Sequence, residues 1–381
     1  MTKHIKLFTP GPGDVDEDVL DALSAPVMRH YGPEWMEVYN ETISLLREFY
    51  LTENDLFMVP GPGTATLDMA IGSTLASGEK IIVGNNGFFG DRLLHIAEAY
   101  GLNPVLFSAP LGQPLDPEAL QEILKAHPDA KAVAMVHHET STTVLNPLRQ
   151  IADVTHAAGR VIIVDAVSSL GGIELPVDEW GIDICVTASN KCLEAVPGVG
   201  FISVSDAAWK LVDSHSGNGH GWYLNLRNWR KYLKEWGSWH PTPVTMPVNV
   251  IFGVCASMKR IRAKGLEAHR EKYVRANQIV RKGMASLGFE MFVAPEYAAP
   301  IASGYRARPE FEIAEMMKWL LEERAITIGG GLGPLSGKIF RIGHLGKSAE
   351  REYLVDFLFA MEEFLRTKGI DVPVGAALIG M

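Results

Sequence analysis

The stretch Ile162-Ile163-Val164-Asp165-Ala166-Val167-Ser168-Ser169 reads as a buried strand that ends in a carboxylate and then breaks into small residues. A short run of β-branched apolar residues belongs inside a sheet that is covered on both faces. In an open parallel sheet ligands gather at the carboxyl ends of the strands, which puts Asp165 where a ligand would sit. Taken alone, Asp165 reads better as a helix-capping carboxylate at a strand–helix turn. Outward from this stretch the same texture recurs. Strand patterns fall at Leu56–Val59, Lys80–Val83, Pro104–Phe107, Ala132–His137, Val161–Asp165, Ile184–Thr187 and Gly200–Val204. Helical periods occupy Thr66–Ala76, Asp91–Tyr100, Pro117–Ala126 and Leu148–Ala158. Strands alternating with helices of this length predict an α/β fold around a mostly parallel, seven-stranded sheet.

Beyond residue 255 the texture changes. Long amphipathic helices are expected at Gly265–Leu287, Glu312–Glu323 and Ser348–Thr367, with strands at Glu290–Val293 and Ile339–Ile342. At 381 residues the chain exceeds one ordinary core. It divides into an N-terminal arm (1–20), a large α/β domain (21–255) and a smaller α+β domain (256–381). Gly217–Trp239, with Trp222, Trp229, Trp236 and Trp239 in mixed charge, shows no clean period and reads as an irregular excursion. Tryptophans there point to packing or a subunit interface rather than a ligand box.

Composition narrows the function classes. Hydrophobic residues make up 47% and charged residues 21%, the balance of a globular protein, and no apolar run approaches a membrane span. Lys3, His4 and Lys6 are followed by polar Thr9 and the Pro10-Gly11-Pro12 turn, so no signal peptide is expected. A net charge of −10 without a basic cluster argues against nucleic acid or an anionic membrane as partner. Three cysteines, Cys185, Cys192 and Cys255, form neither a disulfide framework nor a zinc pattern, which fits a reducing cytoplasmic setting. Histidines such as His137-His138 lack cysteine neighbours at ligand spacing, so no metal site is expected.

Two further motifs carry chemistry. In Thr187-Ala188-Ser189-Asn190-Lys191-Cys192-Leu193 a single lysine sits in a small-residue turn between two buried strands. A desolvated lysine is a workable Schiff-base nucleophile, although the segment alone reads better as a surface turn. In Pro60-Gly61-Pro62-Gly63-Thr64 a glycine turn links strand to helix, aiming N–H groups and the helix dipole at an anion, usually phosphate. Such turns also serve geometry alone, and no Gly-Lys-Ser/Thr follows to make a P-loop.

In their order these motifs resemble a class V aminotransferase of pyridoxal-phosphate fold type I, in the alanine/serine–glyoxylate branch. The resemblance runs nearly end to end. It passes through Thr9-Pro10-Gly11-Pro12, Met28-Arg29-His30-Tyr31-Gly32-Pro33-Glu34-Trp35, Gly61-Pro62-Gly63-Thr64 and Asn86-Gly87-Phe88-Phe89-Gly90. It continues with His138-Glu139-Thr140-Ser141-Thr142, Asp165-Ala166-Val167-Ser168-Ser169, Asn190-Lys191 and Phe340-Arg341-Ile342-Gly343. It implies pyridoxal 5'-phosphate as cofactor, with Lys191 as its Schiff-base lysine and proton shuttle. Asp165 then holds the pyridine nitrogen, Val167 and Phe89 cover the ring faces, and Gly63 and Thr64 cradle the phosphate. Thr140 reaches the ring hydroxyl side and Asn190 lies beside the phosphate. Arg341 holds the substrate carboxylate, with Gly11 also against the substrate. A homodimer with shared active sites follows from the resemblance, Thr242 being the residue that crosses to the partner. The partners are then a small amino donor and a 2-oxo acid, glyoxylate or pyruvate.

The departures from the family pattern are local. Pro62 stands where relatives often place serine, and a proline has no N–H to donate. Phe89 stands where they often stack tryptophan. Asn190 before the lysine, and His138-Glu139-Thr140 with Leu145-Asn146-Pro147, look more like 2-aminoethylphosphonate–pyruvate and pyridoxamine–pyruvate aminotransferases. A lyase or desulfurase of the same fold would need a mobile cysteine on a loop. Cys255 instead sits in an apolar helical stretch, and Cys192 reads as packed under its turn. A scaffold that keeps the fold without activity is opposed by the joint presence of Lys191, Asp165 and Arg341. A dinucleotide-binding oxidoreductase is opposed by Gly11-Pro12-Gly13, which lacks the third glycine. The run Gly329-Gly330-Gly331-Leu332-Gly333 before Arg341 reads as a close approach of backbone to substrate or as a flexible surface loop.

Overall fold

The computed structural model describes residues 4–215, 221–379 and 381. The first half of the chain runs β1 (Lys6–Phe8), α1 (Glu17–Leu23), α2 (Pro33–Tyr50), β2 (Asp55–Pro60), α3 (Gly63–Thr74), β3 (Lys80–Asn85), α4 (Phe88–Ala99), β4 (Asn103–Ser108) and α5 (Pro117–Ala126). It continues through β5 (Ala132–Val136), the small hairpin of β6 (His138–Glu139) and β7 (Val144–Leu145), α6 (Leu148–Ala157), β8 (Val161–Asp165), β9 (Ile184–Ala188) and β10 (Val199–Val204). The second half runs α7 (Asp206–Asp213), α8 (Leu226–Trp236), α9 (Val248–Lys264), α10 (Leu266–Ser286), β11 (Ala302–Arg306), α11 (Ile313–Arg324), β12 (Ile326–Gly330), β13 (Ile339–Gly343) and α12 (Arg351–Thr367).

The seven predicted strands pair into one seven-stranded sheet in the order β2-β10-β9-β8-β5-β3-β4. Neighbours are parallel from β9 to β4, and β10 alone runs antiparallel, between β2 and β9. Strands β5, β9 and β10 are buried at every residue, as the continuous apolar runs predict. The carboxyl ends of β2, β3, β5, β8 and β9 therefore open on one edge, where Asp165 ends β8, Gly63 and Phe89 stand at the starts of α3 and α4, and Thr140 and Lys191 lie in the connections.

A second sheet, ordered β1-β12-β13-β11, lies over its own core of Phe8, Tyr273, Tyr305, Phe340 and Phe357. Here the structure departs from expectation. No strand forms at Glu290–Val293: the chain bends at Phe292 and Val293, leaving Met291 in one isolated bridge to Tyr305. Strands β1, β11 and β12 are present instead, so the N-terminal arm is the parallel edge of this sheet. Helix α9 runs unbroken through residue 255, and its apolar face reaches the first core as far as Ile261. The segment read as irregular holds helix α8, whose asparagine cap Asn225 accepts from the N–H of Arg227, while 217–220 lie outside the described residues. Of its tryptophans Trp229 is buried and Trp222, Trp236 and Trp239 are exposed. No described helix is long and apolar enough to cross a membrane.

One buried carboxylate ties the two cores together. Glu194, in the turn after Lys191, takes hydrogen bonds from Arg260 of α9 (3.1 Å), the Tyr273 hydroxyl of α10 (2.6 Å) and Lys272. Arg260 also reaches Asp16 (2.6 Å) and Asp18 (3.1 Å) near the N-terminus. Burial raises the Glu194 carboxyl, but Lys272, His269 and Tyr273 overcome it and hold it at about 2, against an ordinary 4.5. A carboxylate depressed in this way contributes stability above its unfolded value and loses it as the pH falls through its folded value. Glu194→Gln is therefore expected to remove about 3 kcal/mol of unfolding free energy at pH 7. Urea titrations across the acid range should show the two proteins converging between pH 4.5 and about 2; a parallel offset at every pH would contradict the assignment.

Candidate active site

The loops at the carboxyl edge of the large sheet enclose a cavity of about 190 Å³. Asp165, Lys191, Asn190 and Val167 line it, together with Gly63, Thr64, Phe89 and Thr140. These residues span more than a hundred positions of sequence, and the sheet topology brings them to one place.

Lys191 is half-buried, and its Nζ donates to the carbonyl of Pro10 at 2.7 Å. The loop turns back on itself after it, Glu194 N–H reaching Lys191 O at 2.9 Å and Ala195 N–H reaching Ser189 O at 3.0 Å. Burial lowers the amine to about 8, with Arg341 and Arg92 adding to the effect and Asp165 opposing it. Gly11 has φ +128°, and a Cβ there would stand 2.0 Å from the lysine nitrogen, so only glycine lets the N-terminal arm pass the amine. Asp165 is 5% exposed, and its Oδ1 accepts the N–H of Val167 at 2.9 Å. Burial raises this carboxyl to about 6, held back by that hydrogen bond and by Arg92 and Lys191. It is still mostly ionised at neutral pH.

Helix α3 starts at Gly63 behind Pro62, without a side-chain cap, so its first N–H groups remain for an anion. A Cβ on Gly63 would come within 2.6 Å of Val167 Cγ2, which is why this position is glycine. Helix α4 presents Phe89. Its N-terminus is held by Glu139, whose carboxylate accepts the N–H groups of Phe89 (3.1 Å) and Gly90 (3.0 Å). The same carboxylate takes the backbone N–H of Ser141 at 3.0 Å and its hydroxyl.

Arg341 lies on β13, outside the immediate wall. Its Nη1 donates to Thr140 O (2.9 Å), and Nε (2.9 Å) and Nη2 (2.7 Å) both donate to Gly330 O. One hydrogen on each terminal nitrogen is left, the pair that a carboxylate fork uses. Burial lowers this guanidinium to about 10, so it stays cationic at neutral pH. The glycine run resolves accordingly: Gly329 pairs with Arg341 across the sheet, and Gly330 supplies its carbonyl anchor. Thr242 stands apart from the cavity wall, buried, its hydroxyl donating to Val244 O at 3.2 Å.

Two cavity groups, Arg92 and His138, and one group behind the wall, Glu139, escaped the sequence reading. Arg92, one turn into α4, lines the cavity, donates to Thr64 Oγ1 (3.2 Å) and covers the Phe89 ring at 4.9 Å. Its signal was its spacing of three residues from Phe89, one face of a helix. Glu139 and His138 stood in a quoted motif, but nothing local assigns them a role. All three cysteines are free and buried, and burial holds the Cys192 and Cys255 thiols above their usual value, so neither is a ready nucleophile.

The aminotransferase class-V family model matches residues 16–333, and the chain belongs to that family. An uncharacterized aminotransferase of Methanocaldococcus jannaschii is 36% identical over 96% of this chain and 94% of its own length. A protein named soluble hydrogenase, small subunit, from a Synechococcus species is also 36% identical, over 93% and 91%. The solved ureidoglycine-glyoxylate aminotransferase of Bacillus subtilis superposes with a TM-score of 0.94 at 28% identity, covering 99% of this chain and 97% of that one. The fold is fold type I, the enzyme is a transaminase, and its cofactor is pyridoxal phosphate. The residues present fit that cofactor: an uncapped helix start for a phosphate, a carboxylate for a ring nitrogen and a neutralisable lysine.

An amine lowered to about 8 is uncharged at lower pH than an ordinary lysine. In cofactor-free protein, labelling of Lys191 by an aldehyde followed by borohydride should rise with pH through a midpoint near 8. A midpoint near the usual 10.5, read by peptide mass, would show that the lysine is not desolvated.

Proposed function

We propose that this enzyme moves an amino group from a small donor of the alanine or serine type to glyoxylate or pyruvate, in two half-reactions. The observation that carries the proposal is the convergence of Lys191 and Asp165 beside the open start of helix α3, with Arg341 anchored behind the wall to the carbonyl of Thr140. Bound there, pyridoxal phosphate supplies an electron sink for the charge left when an amino acid loses its α-proton.

The chain's own residues do the rest. Lys191 Nζ moves the proton, and burial keeps its amine close enough to neutral pH to serve as base and then as acid. The Asp165 carboxylate holds a proton on the ring nitrogen, which makes the sink effective. Gly63 and Thr64 receive the phosphate at the helix N-terminus, with Asn190 beside them, and Arg92 makes up for the N–H that Pro62 lacks. Phe89 and Val167 cover the two ring faces and keep water from them. Thr140 serves the hydroxyl edge. Arg341 takes the carboxylate of donor and acceptor alike, and Gly11 leaves room for it. Glyoxylate as acceptor is supported by the likeness to the Bacillus subtilis enzyme.

We propose further that the enzyme is a cytoplasmic homodimer, with Thr242 crossing to the partner's site. Exposed Tyr31 and Trp239 meet edge to face at 6.4 Å, and Trp239 precedes Thr242 by three residues, which supports the location of that interface. Three free, buried thiols suit a reducing compartment. The arm (1–20) and the small domain (256–381) close over the site of the large domain (21–255).

The test is an absorbance scan of the purified holoprotein with single donors added. L-alanine or L-serine should bleach the visible band, and glyoxylate or pyruvate should restore it. A response only to 2-aminoethylphosphonate or pyridoxamine would move the substrate to the second reading, which Asn190 and His138-Glu139-Thr140 favour. No band after addition of pyridoxal phosphate would remove Lys191 from its role. Arg341→Ala should raise KM for donor and acceptor roughly 100-fold each, the loss of two charge-assisted hydrogen bonds; an effect on one partner alone would require a second carboxylate site.

A further inference from the structure

His138 is 1% exposed, and its Nδ1 lies 3.0 Å from the carbonyl oxygen of Ser168. A carbonyl only accepts, so Nδ1 carries the hydrogen and the neutral ring leaves Nε2 bare. That nitrogen is buried and has no hydrogen-bond partner among the described residues. Buried polar groups are met as a rule, and an unmet one in a cavity wall marks a place where a ligand atom completes the pairing. The imidazole lines the cofactor cavity with Lys191, Asp165 and Ser168.

The walls of that cavity divide by chemistry. Gly63, Thr64, Arg92 and Asn190 make the anion-binding edge. His138 and Thr140, from the hairpin after β5, stand with Ser168 on the loop after β8 and supply the other edge. With its phosphate on the first edge, its ring nitrogen at Asp165 and its aldehyde carbon at Lys191, the cofactor turns its ring hydroxyl to the second.

On the reading that the cofactor is linked through Lys191, we propose that His138 is a positioning residue whose bare Nε2 accepts the hydrogen of the cofactor's ring hydroxyl. An acceptor nitrogen repels an ionised oxygen and favours the un-ionised hydroxyl. The nitrogen linked to Lys191 is thereby denied the anionic neighbour that would stabilise its proton, and gives that proton up at lower pH. His138 keeps this role across the working range, because burial lowers its ring to about 4. The Ser168 carbonyl opposes that shift, and the charges of Lys191 and of Arg341 on β13 add to it. His137, the neighbour in sequence, is buried with its Nδ1 3.0 Å from the Ser169 hydroxyl, and burial lowers it to about 3, so it brings no charge. Glu139 is turned away, its carboxylate spent on the start of α4 and on Ser141.

The experiment is a pH titration of the visible absorbance of holoprotein carrying His138→Leu, His138→Phe or His138→Gln. The two apolar variants should shift the midpoint upward by about one pH unit, the worth of one hydrogen bond. Glutamine, whose side-chain carbonyl can still accept, should stay within about a third of that shift from wild type. Borohydride reduction and peptide mass report separately whether the cofactor sits on Lys191. An unlabelled Lys191 in wild type overturns the underlying reading. A labelled Lys191 with unmoved midpoints in whichever apolar variant holds the cofactor overturns the role of His138. So does an equal upward shift in His138→Gln.

Discussion

Burial of the Lys191 amine is the constraint around which the rest of the site is arranged. A lysine amine drawn out of water is costly while charged, and here the cost is met by lowering the amine towards neutrality and by one carbonyl, that of Pro10. That carbonyl comes from the N-terminal arm, 181 residues away in sequence. The arm can pass so close only because residue 11 has no side chain. Its strand β1 is in turn paired to β12 of the second sheet. The lysine therefore binds both sheets to one point, and the Glu194 network in the following turn holds that point from below.

Around the amine the charges are separated by edge. Arg92 and Arg341 are the cations, one by the open helix start and one anchored to the Gly330 and Thr140 carbonyls. Asp165 and Glu139 are the buried carboxylates, and both are raised by burial. They differ in their use. Glu139 is saturated by donors from α4 and Ser141 and acts as a structural clamp. Asp165 takes a single backbone N–H and faces the cavity, which leaves it capacity for a ligand.

Much of the large sheet was legible because its strands are buried on both faces and so read as continuous apolar runs. The small sheet was not. Ala302–Arg306 and Ile326–Gly330 contain Gly304, Gly329 and Gly330, which weaken any strand pattern; pairing with β13, and for β12 also with β1, makes them strands. Helix α8 was hidden for another reason. Its residues are mostly polar or aromatic, and its apolar face shows only against Leu226 and Trp229, the two side chains that the core takes in.

By itself the sequence determined the class of chemistry: a lysine in a small-residue turn, a carboxylate at a strand end and a glycine turn before a helix, in that family's order. These are local signals, because each depends on a few adjacent residues and their strand or helix context. Tertiary structure decided everything that depends on two segments meeting. Arg92 is a surface helix residue until α4 is laid beside α3, and Glu139 is an ordinary loop acid until the α4 N-terminus faces it. His138 has a defined tautomer only because the Ser168 carbonyl of another loop stands 3.0 Å away. Hydrogen bonds and desolvation act between spatial neighbours, and sequence distance carries no record of them.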